Sequence, residues 1–298
     1  MSIPPLSPLP PLFRGLFDDA ALFPPGNAAM PAAVSGHAGY RRSWYAGLVA
    51  RFVCPAGRLA ELDAALAEFD AAPVGFDAAP VGFDAGRSPE ISVTVPGGHA
   101  ELAAALATAE DHPRLRLAAV ELPVPAADLA TALDDLTGAA GRGLTVFAEV
   151  PVAEVTAELG TALRTAGLGL KLRTGGTTAT AFPGTGPLAA AIEAAVAAGV
   201  RFKCTAGLHN AVAHDDPATG WSHHGFLNVL LAVHAAQTGR AAPAALLADR
   251  DGGALAEQAG ALSAAEVAAV RARFASIGSC SIEEPLTDLI ELKLVSAE

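Results

Sequence analysis

The chain has 298 residues, of which 52% are hydrophobic and 17% charged, and its formal net charge at pH 7 is −12. This composition excludes a disordered chain, because so large an apolar share can form a sizeable core. The acidic excess argues against a nucleic-acid partner, since no basic stretch is present to neutralise phosphates. No span of about twenty apolar residues predicts a membrane helix, and the Pro-rich start lacks the pattern of a signal peptide.

Cysteine usage fits a reducing compartment. The three cysteines, Cys54, Cys204 and Cys280, stand far apart and show no C-x-x-C spacing of a zinc or redox site. We therefore expect a cytoplasmic protein with neither nucleic acid nor membrane as partner. The sequence leaves a homo-oligomer open.

The N-terminal segment Phe17–Asn27 (FDDAALFPPGN) places two aspartates before a Pro-Pro-Gly-Asn turn. We interpret residues 1–45 as an N-terminal extension packed on the main fold, in which an aspartate caps a helix. The alternative is that this segment plugs or flanks one end of the main fold.

Short strand-like runs alternate with Ala/Leu-rich helices along the rest of the chain, as in the helical spacing of Leu59, Leu62 and Leu66. Alternation at this spacing predicts a parallel sheet, and the number of units favours a closed (β/α)8 TIM-type barrel over an open sheet. One unit is hard to see and is expected between Ala241 and Gly260. The predicted strands are Leu48–Cys54, Ile91–Val95, Leu115–Leu122, Leu144–Val150, Leu168–Arg173, Arg201–Thr205 and Phe274–Cys280.

The predicted organisation is one barrel domain over residues 1–298, with the extension at its start and a lid-like loop over residues 206–222. A heptapeptide, AAPVGFD, occurs twice in tandem as Ala71–Asp77 and Ala78–Asp84. Two copies are too few for a solenoid. We expect a surface loop without function there.

Charged side chains are predicted to face the inside of the barrel, because each strand has one apolar face that must contact the outer helices. The opposite faces carry Glu121, Glu149, Lys171, Arg173 and Lys203. Burying isolated charges is costly, so these groups must pair with one another or bind a ligand. Their sum leaves one positive charge unmatched, which predicts a substrate with a phosphate or carboxylate group. The alternative is a closed ion-pair network that only fills the lumen.

Loops after the strands add candidate anion-binding groups at the same rim. Glycines allow backbone N–H groups to approach an anion, and hydroxyl side chains add donors. Ser222 is a predicted N-cap that would place His224 and Asn228 one turn apart on the following helix. The candidate anion-binding residues are Arg173, Thr174, Gly175, Gly176, Thr205, Gly207, Asn228 and Ser279.

Lysine pairing on neighbouring strands favours Schiff-base chemistry. A cation beside a buried lysine lowers the pKa of its ammonium, and the neutral amine can then attack a carbonyl. Two lysines on neighbouring inward faces, Lys171 and Lys203, would supply both the nucleophile and the perturbing cation. His209 and His214 would act from the lid as acids or bases.

The segment Lys171-Leu172-Arg173-Thr174-Gly175, and Phe202-Lys203 followed by Gly207, resemble the two lysine strands of deoxyribose-phosphate-aldolase-type class I aldolases. The resemblance implies that Lys171 forms the imine, that Lys203 lowers its pKa, and that Glu149 or Glu121 shuttles protons; on this basis we assign these residues those roles. It is confined to these two strands, and Arg173 stands where that family has a small hydroxyl residue.

The function that we predict is a lyase or isomerase without a cofactor, acting on a small carbonyl compound that carries phosphate or carboxylate. A second hypothesis is a metal-dependent hydrolase or isomerase, because the 209–224 loop is rich in zinc and manganese ligands. A third is a barrel that binds anions without catalysis. The metal ligands of the second hypothesis would be His209, His214, His223, His224 and Asp215.

Overall fold

The computed structural model describes residues 9–71 and 88–297. Eight parallel strands close into a barrel in the order β1, β2, β3, β4, β5, β6, β7, β10. The strands are β1 (Phe17–Asp19), β2 (Val49–Pro55), β3 (Glu90–Thr94), β4 (Arg116–Pro123), β5 (Thr145–Glu149), β6 (Gly169–Arg173), β7 (Phe202–Thr205) and β10 (Phe274–Ser279). A two-stranded antiparallel ribbon, β8 (His214–Asp215) and β9 (Ser222–His223), lies between β7 and β10 in the chain.

The helices follow the strands and surround the barrel. They are α1 (Met30–Arg42), α2 (Leu59–Ala71), α3 (His99–Glu110), α4 (Leu129–Gly141), α5 (Ala157–Thr165), α6 (Thr185–Ala198), α7 (Phe226–Thr238), α8 (Pro243–Ala248), α9 (Gly252–Gly260), α10 (Ala264–Arg273) and α11 (Glu283–Glu291). None of the helices in the described ranges is long and apolar enough to cross a membrane.

The predicted (β/α)8 barrel is confirmed, and all seven predicted strands are present with ends within one residue of those expected. The eighth strand was misplaced. Residues 241–260 form α8 and α9, whereas the missing strand is β1, which pairs with β10 and β2 and closes the barrel. The interpretation of residues 1–45 as an extension is therefore wrong in this part, because residues 17–19 belong to the barrel and α1 packs beside α2 as an outer helix.

The short β1 escaped the pattern because three residues offer no measurable alternation. Phe17 packs edge-to-face on Phe226, with ring centroids 5.3 Å apart. Asp18 and Asp19 are both buried. Asp19 does not cap a helix as expected, because its Oδ2 lies 3.0 Å from Nδ1 of His37 on α1.

Two helix ends show how local sequence sets the boundaries. Helix α7 begins after Gly225 and ends at Gly239, whose φ of +67° is the left-handed conformation that favours glycine. The prediction of Ser222 as its N-cap is wrong, since Ser222 lies in β9 and His224 precedes the helix. Helix α10 begins at a capping box, in which the side chain of Ser263 accepts from the backbone of Glu266 and the Glu266 carboxylate binds back to Ser263.

The predicted inward and outward faces of the strands are confirmed. Leu170 and Leu172 on β6, and Phe202 and Cys204 on β7, are buried in the apolar layer between barrel and helices. The polar residues between them line the interior. Residues 72–84 of the tandem heptapeptide lie outside the described residues, so the surface-loop interpretation stays a prediction.

Candidate functional site

A cavity of about 930 Å³ opens at the carboxyl ends of the barrel strands. In (β/α)8 barrels this is the end at which the loops after the strands meet. Its floor is polar and its rim is partly aromatic, with Phe182 and Trp221 beside histidines. Predicted site residues that line it are Glu121, Glu149, Lys171, Arg173, Lys203, Thr205, Gly176, Gly207, His209, His214 and His223.

Lys171 occupies the centre of the polar floor. Its Nζ lies 2.9 Å from Oε2 of Glu121 and 2.9 Å from Oε2 of Glu149. The pairing follows from register, because Lys171 is directly opposite Glu149 in the β5–β6 ladder. Its side chain is 6% exposed, and what is exposed faces the cavity.

Lys203 lies deeper and is enclosed by acids. Its Nζ donates to Oδ2 of Asp18 at 2.5 Å and to Oε1 of Glu121 at 2.6 Å. The ring of Phe147 lies beneath the ammonium group, with its centroid 5.6 Å away. Asp18 also accepts from the hydroxyl of Ser276 at 2.6 Å, so the buried carboxylate is fully engaged.

The protonation states follow from these contacts. Burial lowers the pKa of Lys203, but Asp18 and Glu121 outweigh it and raise the pKa above the ordinary lysine value. Burial likewise raises the pKa of Glu121, and Lys171 together with Lys203 reverse this and hold it well below the ordinary value. The pKa of Glu149 is also lowered, because Lys171 and Arg173 outweigh its burial. Lys203 is thus a cation, and both glutamates are ionised at neutral pH.

Asp18 corrects the predicted charge balance. The sequence prediction counted two acids and three bases; Asp18 is a third acid, so the charges of the six ion-paired side chains sum to zero. An unmatched positive charge therefore no longer supports an anionic substrate. Glu121 contacts the amino groups of both lysines. Its negative charge therefore offsets the electrostatic effect that Lys203 was expected to have on Lys171.

Arg173 has hydrogen-bond donors that are not used by the described residues. Its Nε donates to Oε1 of Glu149 at 2.8 Å, and its side chain is 49% exposed at the cavity. No described residue accepts from its two terminal nitrogens in a hydrogen bond. These nitrogens are the best-placed donors at the cavity for an anionic ligand group.

The two glycine loops of the rim are in direct contact. A Cβ on Gly175 would lie 2.7 Å from the Cα of Gly207, so only glycine permits this approach. Thr174 is buried, and its hydroxyl donates to the carbonyl of Ala206 at 2.6 Å. Thr174 and Gly175 therefore hold the rim together, whereas Gly176, Thr205 and Gly207 face the cavity.

Two predicted anion-binding residues have structural contacts instead. Asn228 is fully buried; its Oδ1 accepts from the backbone of Ala213 at 2.9 Å, and its Nδ2 donates to the carbonyls of Leu246 and Asp249. Ser279 is also buried, and its hydroxyl donates to the carbonyl of Ser281 at 2.6 Å. Neither residue lines the cavity. Sequence spacing alone cannot distinguish such structural polar residues from polar residues that face the cavity.

The segment 206–222, predicted to be a lid, forms one side of the cavity mouth. Phe182 of the preceding loop stacks on His223, with ring centroids 4.4 Å apart, and contacts Trp221 at 5.5 Å. His214 lies 5.2 Å from His223, and its Nδ1 is 3.1 Å from the carbonyl of Val212. Its ring lines the cavity, so it remains available as an acid or base.

The histidine-rich loop does not converge on a metal site. In the described ranges, no three His, Cys, Asp or Glu side chains are placed to hold one ion together. Nε2 of His224 is 2.7 Å from the carbonyl of Pro183, and Asp215 forms a forked pair with Arg250. His209 pairs with Glu284 at 2.9 Å. The predicted zinc or manganese ligand set is therefore distributed among separate partners.

Sequence reasoning missed Asp18 and Thr94 as parts of the site. Thr94 lines the cavity, and its buried hydroxyl oxygen has no hydrogen-bond partner among the described residues. The alternation of β3 did place Thr94 on the inward face. For Asp18 the available signal was indirect: a barrel needs an eighth strand, and the distance from Phe17 to β2 fits one strand and one helix.

Comparison with known proteins does not show a family for this chain. No family model and no curated protein sequence matches the chain. Among solved structures, it is similar to a carboxyl transferase domain variant of Rhizobium etli pyruvate carboxylase with pyruvate, at 11% identity and a TM-score of 0.43. The match covers 87% of this chain and 48% of the other, so this chain spans about half of that structure's length. The barrel topology rests on the strand pairing described above.

Proposed function

We propose that the protein is a lyase or isomerase that binds a small carbonyl compound bearing phosphate or carboxylate and activates it as a Schiff base on Lys171. The observation that carries the proposal is the position of the Lys171 amino group at the floor of the cavity, between two ionised carboxylates. A lysine that only balanced charge would not need to face a cavity of this size. The resemblance of the two lysine strands to class I aldolases points to the same residue.

Glu149 is the proton acceptor in this proposal. Its carboxylate contacts both Lys171 and Arg173, and its side chain is 17% exposed at the cavity. The Lys171 ammonium transfers a proton to Glu149, and the free amine adds to the substrate carbonyl to form a carbinolamine. The carbinolamine loses its hydroxyl group as water, taking the proton from Glu149, and leaves a protonated imine.

The protonated imine withdraws electrons from the neighbouring carbon. Either a C–H bond or a C–C bond at that carbon can then break, and its electron pair moves into the imine to give an enamine. Glu149, or His214 from the rim, accepts the proton that is released. The protonated group then returns a proton to a carbon of the enamine, which restores the imine, and hydrolysis of this imine releases the product and the Lys171 amine.

Arg173 supplies recognition. Its terminal nitrogens are free of protein acceptors in the described ranges and can bind a phosphate or carboxylate of the substrate, with backbone N–H groups near Gly176 and Gly207 as further candidate donors. Lys203 has a supporting role: as a paired cation it keeps Glu121 ionised beside Lys171. Substrates that lack an anionic group should bind weakly.

Exchange of substrate protons with solvent tests the proposal without knowledge of the full reaction. Pyruvate, dihydroxyacetone phosphate and acetone are incubated with the protein in D2O, and loss of the α-proton signals is followed by NMR. We expect exchange with at least one anionic probe and none with Lys171→Met. The matched control is Lys293→Met, which changes an exposed lysine in the segment after α11. It should catalyse exchange like the wild type. Equal exchange by Lys171→Met, or none by the wild type with any probe, contradicts the proposal.

A further inference from the structure

A second reactive cluster lies on the wall of the same cavity, outside the lysine network. It consists of Cys280, His209 and Glu284, all of which line the cavity. The Sγ of Cys280 is 3.7 Å from Nε2 and 3.8 Å from Nδ1 of His209. The sulfur is therefore nearly equidistant from the two ring nitrogens, and because Nδ1 also lies 2.9 Å from Oε2 of Glu284, Nε2 is the nitrogen without a carboxylate partner among the described residues.

The barrel brings these residues together across 71 positions of sequence. His209 belongs to the loop after β7, while Cys280 directly follows β10, and the two strands are neighbours in the barrel. Glu284 lies in the first turn of α11, four residues after the cysteine. Spacing in the sequence shows the thiol but not its base, which explains why a nucleophilic role could not be argued from the sequence.

The cysteine is held firmly in this position. Gly26 packs against it so closely that a Cβ on the glycine would lie 3.1 Å from the Cβ of Cys280. A backbone hydrogen bond from Gly26 also reaches the thiol. The N-terminal Pro-Pro-Gly-Asn turn, which the lysine chemistry does not use, therefore positions the sulfur.

We propose that Cys280 is a nucleophile for acyl transfer, with His209 as its general base and Glu284 as the positioning residue, and that the substrate class is a carboxylic ester or thioester. A nucleophile within reach of a base that is in turn oriented by a third group is the arrangement expected for this chemistry. The proposal goes beyond the Schiff-base function and does not depend on it.

The reaction balances with water as the only co-reactant. The thiol proton moves to Nε2 of His209 as the sulfur adds to the carbonyl carbon. The bond to the leaving alkoxide or thiolate then breaks, and His209 returns the proton to it, leaving an acyl group on Cys280. Water, deprotonated by His209, hydrolyses this thioester, releases the carboxylic acid and restores the thiol.

A base is needed because the thiol is protonated at rest. Burial raises the pKa of Cys280, and the hydrogen bond from Gly26 only partly opposes this, while Glu284 raises it further. A thiol of this kind reacts slowly unless a neighbouring group removes its proton during attack. His209 is the group within reach.

Acylation by p-nitrophenyl acetate provides the test. We expect a burst of p-nitrophenol and an acetyl group on Cys280, located by peptide mass spectrometry, with Cys54 and Cys204 unmodified. Both of these thiols are buried, and burial raises the pKa of Cys54 to about 12 and that of Cys204 further still. They are the internal controls for non-specific reaction.

Variants separate the base from a merely structural histidine. His209→Asn should slow acylation of Cys280 at least about 100-fold at neutral pH, which is the usual size of a general-base contribution. Glu284→Gln should shift the pH profile of acylation, whereas His99→Asn, on a partly exposed histidine of α3, should leave it unchanged. If the wild type gains no acetyl group on Cys280, or if His209→Asn acylates at the wild-type rate, the proposal is overturned.

Discussion

Removing the Asp18 carboxylate should destabilise the barrel more than any exposed ion pair does. Asp18→Asn keeps the shape of the side chain but leaves the buried Lys203 ammonium, 1% exposed, with Glu121 as its one remaining carboxylate within the described ranges. Breaking a buried pair costs about 3–5 kcal/mol. Glu121 and the ring of Phe147 still stabilise the ammonium, so we expect the lower end, about 3 kcal/mol. For a chain of this length that corresponds to a fall in Tm of about 5 °C.

Differential scanning calorimetry on the full chain measures this change. The matched control is Asp135→Asn, which removes an exposed carboxylate paired with His99 and should leave the Tm within about 1 °C. A double-mutant cycle with Lys203→Met should show that the two changes together cost less than their sum, since both remove the same pair. A Tm for Asp18→Asn equal to that of the control would refute the role assigned to Asp18.

Three further predictions follow from single contacts. Because the pKa of Glu149 is lower in the folded than in the unfolded protein, its ionised carboxylate stabilises the fold above the unfolded-state pKa of about 4.3, and this stabilisation is lost as the pH falls further. The difference in unfolding free energy between wild type and Glu149→Gln, measured by urea titration, should be constant from about pH 5 to 7 and shrink below about pH 4. Gly207→Ala should lower the Tm more than Gly220→Ala, because both have φ near +70° but only at Gly207 would a Cβ meet the carbonyl of Thr174, at 2.9 Å; equal losses would contradict the packing argument. Asn228→Ala should cost about 2–4 kcal/mol in chemical denaturation by leaving buried backbone groups unpaired, and an unchanged stability would contradict this.

The barrel itself was predictable because its strands carry a strong repeating signal. Runs such as Leu168–Arg173 are short and alternate, and each is followed by an Ala/Leu-rich helix. The inward orientation of Lys171, Arg173, Glu121 and Glu149 followed from that alternation, since only the apolar face can contact the helices. The structure confirms both.

Two parts of the site could not be predicted in the same way. β1 has three residues, too few for periodicity, so the partner of Lys203 was hidden in a segment interpreted as an extension. The histidines of residues 209–224 are close in sequence but do not share one set of partners: His209 pairs with Glu284, and His224 with the carbonyl of Pro183. Side-chain partners that come from distant elements depend on the three-dimensional fold and leave no spacing to detect.

Borohydride trapping is the most direct test of the central claim. The chain has three lysines, Lys171, Lys203 and Lys293, so each peptide assignment is unambiguous. The protein is incubated with each carbonyl probe and sodium borohydride, digested, and the adduct is located by mass spectrometry. We predict a reduced adduct on Lys171 with an anionic probe, none on the enclosed Lys203, and no more than background on the exposed Lys293. An adduct level on Lys171 no higher than that on Lys293 would contradict the assignment of Lys171 as the nucleophile.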